Sequence, residues 1–388
     1  MNGKINNMAK TKHIDGVADK VERVDRDELA VLIVDAFNKS QKDGSKVAYF
    51  LDEQEDPSNV TDWISTGSDL LDLAISNKKN GGLPVGRIVE LNGLEGTGKS
   101  LIAAHILAST QKKGGLGIMI DTENAAAPAF WTAVGVSVKD LVYANLFTVE
   151  EIFSKIEQAI GVARKNFPDK LVTIVVDSLA MASCATEMEA EHGVKGYNTQ
   201  KAIIISMALR KITGLIGKQR ILVVFTNQLR MNLNAVMFGD KWIVPGGKAM
   251  GFAASVRVRL ASTGNLKKSE RVIGNGCKAV VTKNRMGPPK RIAEFEIHFD
   301  SGIQNLKSWL DWLKAHNLAT SSGQKYTIKL PSGNQTMTVV EFVEKINTDS
   351  AFKDEVYNII ADDYIMEYRD PNSKIEEGIE IDDNAEED

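Results

Sequence analysis

The stretch that decides the fold begins at Arg87-Ile88-Val89-Glu90-Leu91. It continues through Gly93-Leu94-Glu95-Gly96-Thr97-Gly98-Lys99-Ser100 and closes on Leu101-Ile102-Ala103-Ala104-His105-Ile106-Leu107. A strand-like apolar run leads into an unbroken G-x-x-x-x-G-K-[ST] loop, and an apolar helical pattern follows directly. In that context the glycines let the backbone curl so that successive N–H groups and the helix N-terminus face phosphate oxygens. Lys99 is placed to reach the β and γ phosphates and Ser100 a magnesium ion, with Gly93, Glu95, Gly96, Thr97, Gly98 and Leu101 completing the cradle. The reading is a P-loop that binds a nucleoside triphosphate with Mg2+.

Around this loop the chain alternates strands and helices in the α/β manner. Gly117-Ile118-Met119-Ile120, Leu171-Val172-Thr173-Ile174-Val175-Val176 and Ile221-Leu222-Val223-Val224-Phe225 are short apolar runs rich in β-branched residues. Such runs, separated by helical patterns, predict a mostly parallel sheet buried on both faces, with chemistry at the strand carboxyl ends. Polar residues stand at those ends: Asp121-Thr122-Glu123, Asp177-Ser178 and Asn227-Gln228. Asp177 closes its strand in the Walker B manner and is the second candidate metal-orienting group beside Ser100. Glu123 is the candidate general base, because hydrolysis needs a carboxylate that orients or deprotonates a water near the γ phosphate; a helix-capping acid is the plainer alternative. Gln228 is a neutral amide able to sense the γ phosphate through hydrogen bonds.

Composition bounds the rest. At 388 residues the chain is long enough for two or three units. The formal charge of -4 hides an asymmetry, since residues 376–388 hold eight acids and no base, which leaves residues 1–375 at +4. That block reads as a disordered acidic tail, either a solubiliser or a competitor for a basic surface. Cys184 and Cys277 are the two cysteines and form no C-x-x-C pair; with scattered histidines they support neither a disulfide framework nor a zinc site. No apolar stretch approaches the roughly 20 residues that span a bilayer, and Met1 to Gly16 lacks an apolar leader core. The expectation is a soluble cytoplasmic protein with no membrane partner.

Four segments are expected. Residues 1–62 form an N-terminal oligomerisation unit, in which Leu29, Leu32, Ile33, Ala36 and Phe37 give Asp27 to Ser40 one apolar helical face and Val47 to Leu51 is strand-like. That helix either folds back on its own core or reaches a neighbouring subunit. Residues 63–303 form the ATPase core, 304–375 a small α+β lobe and 376–388 the tail. In the lobe, Trp309, Leu310, Trp312 and Leu313 predict a short helix. Tyr326 to Leu330 and Gln335 to Val340 predict a hairpin around Pro331-Ser332-Gly333-Asn334, and Val339 to Ile346 a further helix.

The order Gly-Leu-Glu-Gly-Thr-Gly-Lys-Ser, Ile-Asp-Thr-Glu, Val-Val-Asp-Ser, Asn-Gln-Leu-Arg-Met and Val-Met-Phe-Gly resembles the RecA-type homologous recombinases over about residues 60 to 305. Leu83-Pro84-Val85-Gly86-Arg87-Ile88 and Lys283-Asn284-Arg285 extend the likeness beyond a generic nucleotide-binding fold. The divergent first unit and short last unit resemble the phage branch. The resemblance implies an ATP-dependent recombinase that forms a helical filament of itself on single-stranded DNA and pairs it with homologous double-stranded DNA. Single-strand-binding and mediator proteins are its implied helpers. It assigns Gln228 to coupling nucleotide state to DNA binding, and matches Lys283 and Arg285 to basic residues that reach the ATP of the neighbouring subunit. It also marks a departure: Ala127 and Phe130 stand where the family often has an aspartate and a tyrosine beside the adenine, which leaves base selectivity open.

Two long connections carry the DNA-binding reading. Loop one, about Ser183 to Gln200, contains Lys195, Gly196 and Tyr197, with Arg210 at the end of the helix behind it. Loop two, about Leu229 to Lys248, contains Arg230, Met231, Met237, Phe238, Lys241, Gly246, Gly247 and Lys248. Glycine mobility, apolar wedges and cations together suit a sequence-tolerant, salt-dependent contact with single strands. Two other activities fit the same core: a helicase or translocase, and a regulatory ATPase acting on a protein partner. DNA-stimulated hydrolysis separates the last of these, and strand exchange without unwinding separates the helicase.

Overall fold

Two apolar faces on one sheet organise the molecule. In the computed structural model, residues 26–42, 46–51, 59–124, 127–189, 197–217, 219–231, 242–243 and 248–369 are described. The chain divides into two compact units, residues 1–59 and 60–388.

In the first unit, α1 (Glu28–Lys39) starts where Asp27 caps it by accepting from the Ala30 N–H. No residue of α1 is buried, and Leu29, Leu32, Ile33 and Phe37 are all exposed. The alternative of a helix folded back on its own core therefore does not hold among the described residues. Nor is Val47 to Leu51 a strand. The Val47 and Ala48 N–H groups donate to the Asn38 side chain instead of a neighbouring strand.

The second unit opens with β1 (Trp63–Ile64), α2 (Asp69–Ser76) and β2 (Leu83–Pro84), then β3 (Ile88–Gly93) and the phosphate-loop helix α3 (Lys99–Lys112). There follow β4 (Leu116–Asp121), α4 (Pro128–Ala133), β5 (Leu141–Asn145), α5 (Val149–Asn166) and β6 (Val172–Asp177). The stretch read as loop one contains α6 (Ala185–Glu189), and α7 (Tyr197–Ile216) already begins at Tyr197; Arg210 lies within α7 and not at its end. After β7 (Ile221–Gln228), the base of loop two is a small ribbon in which β8 (Arg230–Met231) pairs antiparallel with β9 (Trp242–Ile243), so it too is more than a loop. The core closes with α8 (Ala249–Ala253), the long hairpin β10 (Val256–Lys268) and β11 (Arg271–Asn284), β12 (Ile292–His298) and β13 (Gly302–Ile303).

Among the described residues these strands form a nine-stranded sheet in the order β13-β12-β11-β10-β3-β7-β6-β4-β5, parallel from β10 to β5. The predicted apolar runs occupy β4, β6 and β7. Their side chains alternate between two cores, as a period of two requires. Met119, Val175 and Val224 face the side covered by α2 and α3, whereas Ile118, Ile174 and Val223 face the side covered by α5 and α7. Register then aligns the strand ends, with Gly93 opposite Gln228 and Asp121 opposite Asp177.

The last part holds α9 (Asn305–Ala315), β14 (Ala319–Ser322), β15 (Lys325–Ile328), β16 (Gln335–Thr338), α10 (Val339–Thr348) and α11 (Ser350–Tyr364). The expected hairpin is β15 with β16, but it gains a third strand in β14. Its second strand stops at Thr338 because that residue caps α10 in a capping box with Glu341, so Val339 and Val340 are helical. Leu310, Phe342 and Val356 share one apolar core with α2 and α3. The acidic tail lies outside the described residues.

Candidate active site

The phosphate loop is held from behind and below. Gly98 adopts a left-handed conformation at the N-cap of α3, which a side chain would strain. Lys99 is buried, and its Nζ donates to the carbonyls of Gly93 at 3.1 Å and Leu94 at 2.7 Å. Burial holds its ammonium below the usual lysine range, while the carboxylates of Asp177, Glu123 and Glu95 oppose that shift. Thr97 Oγ1 donates to Leu94 O at 2.8 Å, and Asn275 Nδ2 on β11 donates to Gly96 O at 3.2 Å.

Beside the loop, two strand ends are knitted together. The Thr122 N–H donates to Asp177 O, and Thr122 Oγ1 donates to Ser178 O at 2.9 Å. Ser178 Oγ donates to Glu123 Oε1 at 2.8 Å, and Thr226 Oγ1 to Asp177 Oδ1. The Asp177–Ser178 peptide is cis. Each carboxylate thus has a neighbour that fixes its direction.

A cavity of about 440 Å3 joins these groups. Glu95, Gly96, Thr97, Gly98, Lys99, Ser100, Leu101, Glu123, Phe130, Asp177 and Gln228 all line it. Gly93 ends β3 and is not among the lining residues. Three lining residues escaped the sequence reading, Asn275, Ile297 and Phe299, and a fourth, Ser178, stood at a predicted strand end without a role. Phe299 left one signal, an aromatic just past a strand end, and it is exposed. The lining divides into phosphate-seeking groups and the apolar and aromatic surface of Phe130, Ile297 and Phe299. Ala127 precedes α4 as its N-cap and brings no polar group.

A nucleoside triphosphate fits that division. Ser100 and Asp177 offer a hydroxyl and a carboxylate on one cavity, the pairing a Mg2+ ion needs when phosphates and waters complete its shell. Among the described residues no group of three or more acidic, histidine or cysteine side chains is placed to hold a metal ion.

Comparison with known proteins decides the family. Residues 32–304 match the RecA N-terminal domain. The chain is 36% identical to Protein RecA of Clostridium acetobutylicum over 351 residues, covering 89% of this chain and 96% of that protein. It is 36% identical to Protein RecA of Leptospira meyeri over 344 residues, with 87% and 84% covered. It is 39% identical to Protein RecA of Rhodospirillum rubrum over 260 residues, with 67% and 68% covered. The chain belongs to the RecA family. It is therefore an ATP-dependent recombinase of DNA recombination and repair, a DNA-dependent ATPase that carries out strand exchange.

For a RecA family member the remaining predicted residues fall in two places. Lys283 and Arg285 are not on the cavity. Lys283 Nζ donates to Gly251 O at 2.6 Å and Arg285 Nη2 to Phe252 O at 3.1 Å, so both cations cap the last carbonyls of α8. Burial, with Arg285 and Arg257 nearby, holds the Lys283 ammonium below its usual range. Glu90 lies behind them, fully buried, accepting from Arg257 Nε at 2.6 Å and Asn227 Nδ2 at 2.8 Å.

The DNA-binding candidates lie on the loop side. Arg210 is exposed on α7 with Nη1 donating to Ser206 Oγ at 3.2 Å; Arg230 and Met231 are exposed on β8, and Lys248 is exposed at the N-cap of α8. Tyr197 is the first residue of α7. Lys195, Gly196, Met237, Phe238, Lys241, Gly246 and Gly247 lie outside the described residues. Among the described residues no helix is long and apolar enough to cross a membrane.

Proposed function

We propose that the cavity binds ATP with Mg2+ and that its occupancy governs how the chain holds single-stranded DNA while pairing it with a homologous duplex. The observation that carries this reading is the shared lining: Lys99, Ser100, Asp177, Glu123 and Gln228 converge on one space from three neighbouring strand ends and one helix N-terminus. Lys99 neutralises phosphate charge, Ser100 and Asp177 hold the metal, and Glu123 orients the attacking water. The metal supplies charge neutralisation on the phosphates. Phe130 and Phe299 offer stacking surface to the base. Gln228 ends β7 opposite Gly93 and is followed at once by β8, so a hydrogen bond made at the phosphate end is felt where loop two begins.

Assembly of copies into a filament completes the reading. Lys283 and Arg285 stand together off their own cavity and supply cations to a neighbour's phosphates. The exposed apolar face of α1 supports residues 1–62 as an oligomerisation unit, since a face of that kind is covered in use. Arg210, Arg230 and Lys248 supply phosphate contacts for DNA. Single-strand-binding and mediator proteins are the further partners of such a filament, in a cytoplasm, and the phage branch is the finer placement that the divergent end units favour.

The test is ATP hydrolysis by the full chain with and without single-stranded DNA. Hydrolysis should rise on adding DNA in the parent, and Lys99→Ala should abolish it while thermal unfolding stays cooperative. Normal hydrolysis in a folded Lys99→Ala chain defeats the assignment.

A further inference from the structure

Lys201 is a buried cation that the chemistry above does not use. It lies near the start of α7 and is 9% exposed. Its Nζ donates to Ala180 O at 3.0 Å, and among the described residues that carbonyl is its one hydrogen-bond acceptor. An ammonium has three donors, and burying it against a single neutral acceptor costs stability that an uncharged chain of the same length would not. Rules of this kind are broken at functional positions.

Its surroundings explain the exception. Glu187 on α6 favours the charged form and Arg230 on β8 disfavours it, while burial is the larger effect and holds the ammonium below its usual range. α6 lies in the first of the two long connections and β8 opens the second, so Lys201 stands within electrostatic reach of both. On its other side, Ala180 is the third residue after Asp177. The segment between is pinned at every step: the Ser178 N–H donates to Thr122 Oγ1 at 3.0 Å, Ser178 Oγ to Glu123 Oε1, and the Leu179 N–H to Thr226 O at 3.1 Å. One side chain therefore joins the helix behind loop one to the strand end that aims Glu123.

We propose that Lys201 is a positioning residue that couples DNA at the two long connections to Glu123, through the Ala180 carbonyl and Ser178. The proposal rests on the reading of Arg230 as a phosphate contact. A DNA phosphate beside Arg230 cancels its repulsion of the Lys201 ammonium. The ammonium then holds Ala180 O more firmly, and the Ser178 hydroxyl keeps Glu123 directed at the cavity. Without DNA the repulsion stands and the Lys201–Ala180 contact is the weaker one. The device is a single contact whose strength is biased by a charge on one side and read on the other.

The experiment compares the full parent chain with Lys201→Met and Lys201→Arg. ATP hydrolysis is measured without DNA and with saturating oligo-dT, oligo-dT affinity by fluorescence anisotropy, and the melting temperature by calorimetry. Lys201→Met should lower the ratio of DNA-stimulated to DNA-free hydrolysis by about tenfold or more. It should melt no lower than the parent, and its oligo-dT affinity should stay within about threefold, because the lysine acts on the coupling and not on the contact. Lys201→Arg, which keeps the cation, should retain most of the ratio. An unchanged ratio in Lys201→Met overturns the proposal, and so does a fall in melting temperature that accounts for the loss, or a Lys201→Arg chain as impaired as Lys201→Met. A parent whose hydrolysis ignores oligo-dT defeats the functional reading itself, and the coupling with it.

Discussion

Ser178 Oγ donates to Glu123 Oε1, and that single bond sets where the candidate base points. Ser178 is 1% exposed and small, so Ser178→Ala removes the bond and little packing. With saturating single-stranded DNA, kcat should fall about tenfold with KM nearly constant, as expected when orientation in the transition state is lost and ground-state binding is not. A parallel rise in KM would place Ser178 in nucleotide binding instead. At this scale the phosphate loop was legible because its eight residues are contiguous and each has a chemical reason to be there. The contacts of Ser178 with Glu123 and of Asn275 with Gly96 were not, since they join positions 55 and 179 apart. Lys201 looked like any helical lysine until its burial was visible.

At the scale of elements, α2 and α3 carry opposed proton switches. Asp72 on α2 is buried, which pushes its carboxyl from an ordinary 3.8 up to about 7 even though it accepts from the Thr66 N–H and Oγ1. Burial of His105 on α3 pushes its imidazole from 6.5 down to about 4, and its Nε2 accepts from the Ile303 N–H at 3.3 Å. The signs follow from proton counts. Between about pH 4 and 7 the folded Asp72 keeps a proton that the unfolded chain has lost, so its contribution to stability falls as pH rises; the folded His105 lacks a proton that the unfolded chain holds below 6.5, so its contribution rises with pH. The two slopes offset one another in the parent. Asp72→Asn keeps an acceptor for Thr66 and removes one slope, so its stability relative to the parent should grow with pH across that window by up to about 1.4 kcal/mol per unit. Urea unfolding at three pH values checks this, and a constant difference between the two chains would contradict it.

Elements differed in how far they could be read. β4, β6 and β7 announced themselves as β-branched apolar runs because both their faces are buried. The ribbon of β8 and β9 did not, being two residues per strand, with Arg230 and Met231 exposed. The outer half of β10 has polar residues on both faces, Ser262 to Lys268, and so lacks the alternation that marks a half-buried strand. α11 was passed over for a similar reason: its buried residues Phe352, Val356 and Ile360 are spaced among acids that obscure the stripe.

At the scale of the whole molecule, the proposed filament shares catalysis between copies. Lys283 and Arg285 lie off the cavity that Glu123 lines, and on the proposed reading one copy supplies the base and the next the cations. Glu123→Gln and the double variant Lys283→Ala/Arg285→Ala should each lose hydrolysis alone. Mixed filaments should regain part of it, because some junctions then pair an intact Glu123 with an intact basic pair. No recovery at any ratio, in mixtures shown by electron microscopy to form filaments, would place all the chemistry within one chain.

Strand exchange between circular single-stranded DNA and a homologous linear duplex tests the account most directly. With ATP and Mg2+ the full chain should form joint molecules that mature into exchanged products. It should form none with a heterologous duplex, and none when Lys99→Ala replaces the parent. Unwinding of a forked duplex irrespective of homology, with no joint molecules, would contradict the assignment and make the chain a helicase built on the same core.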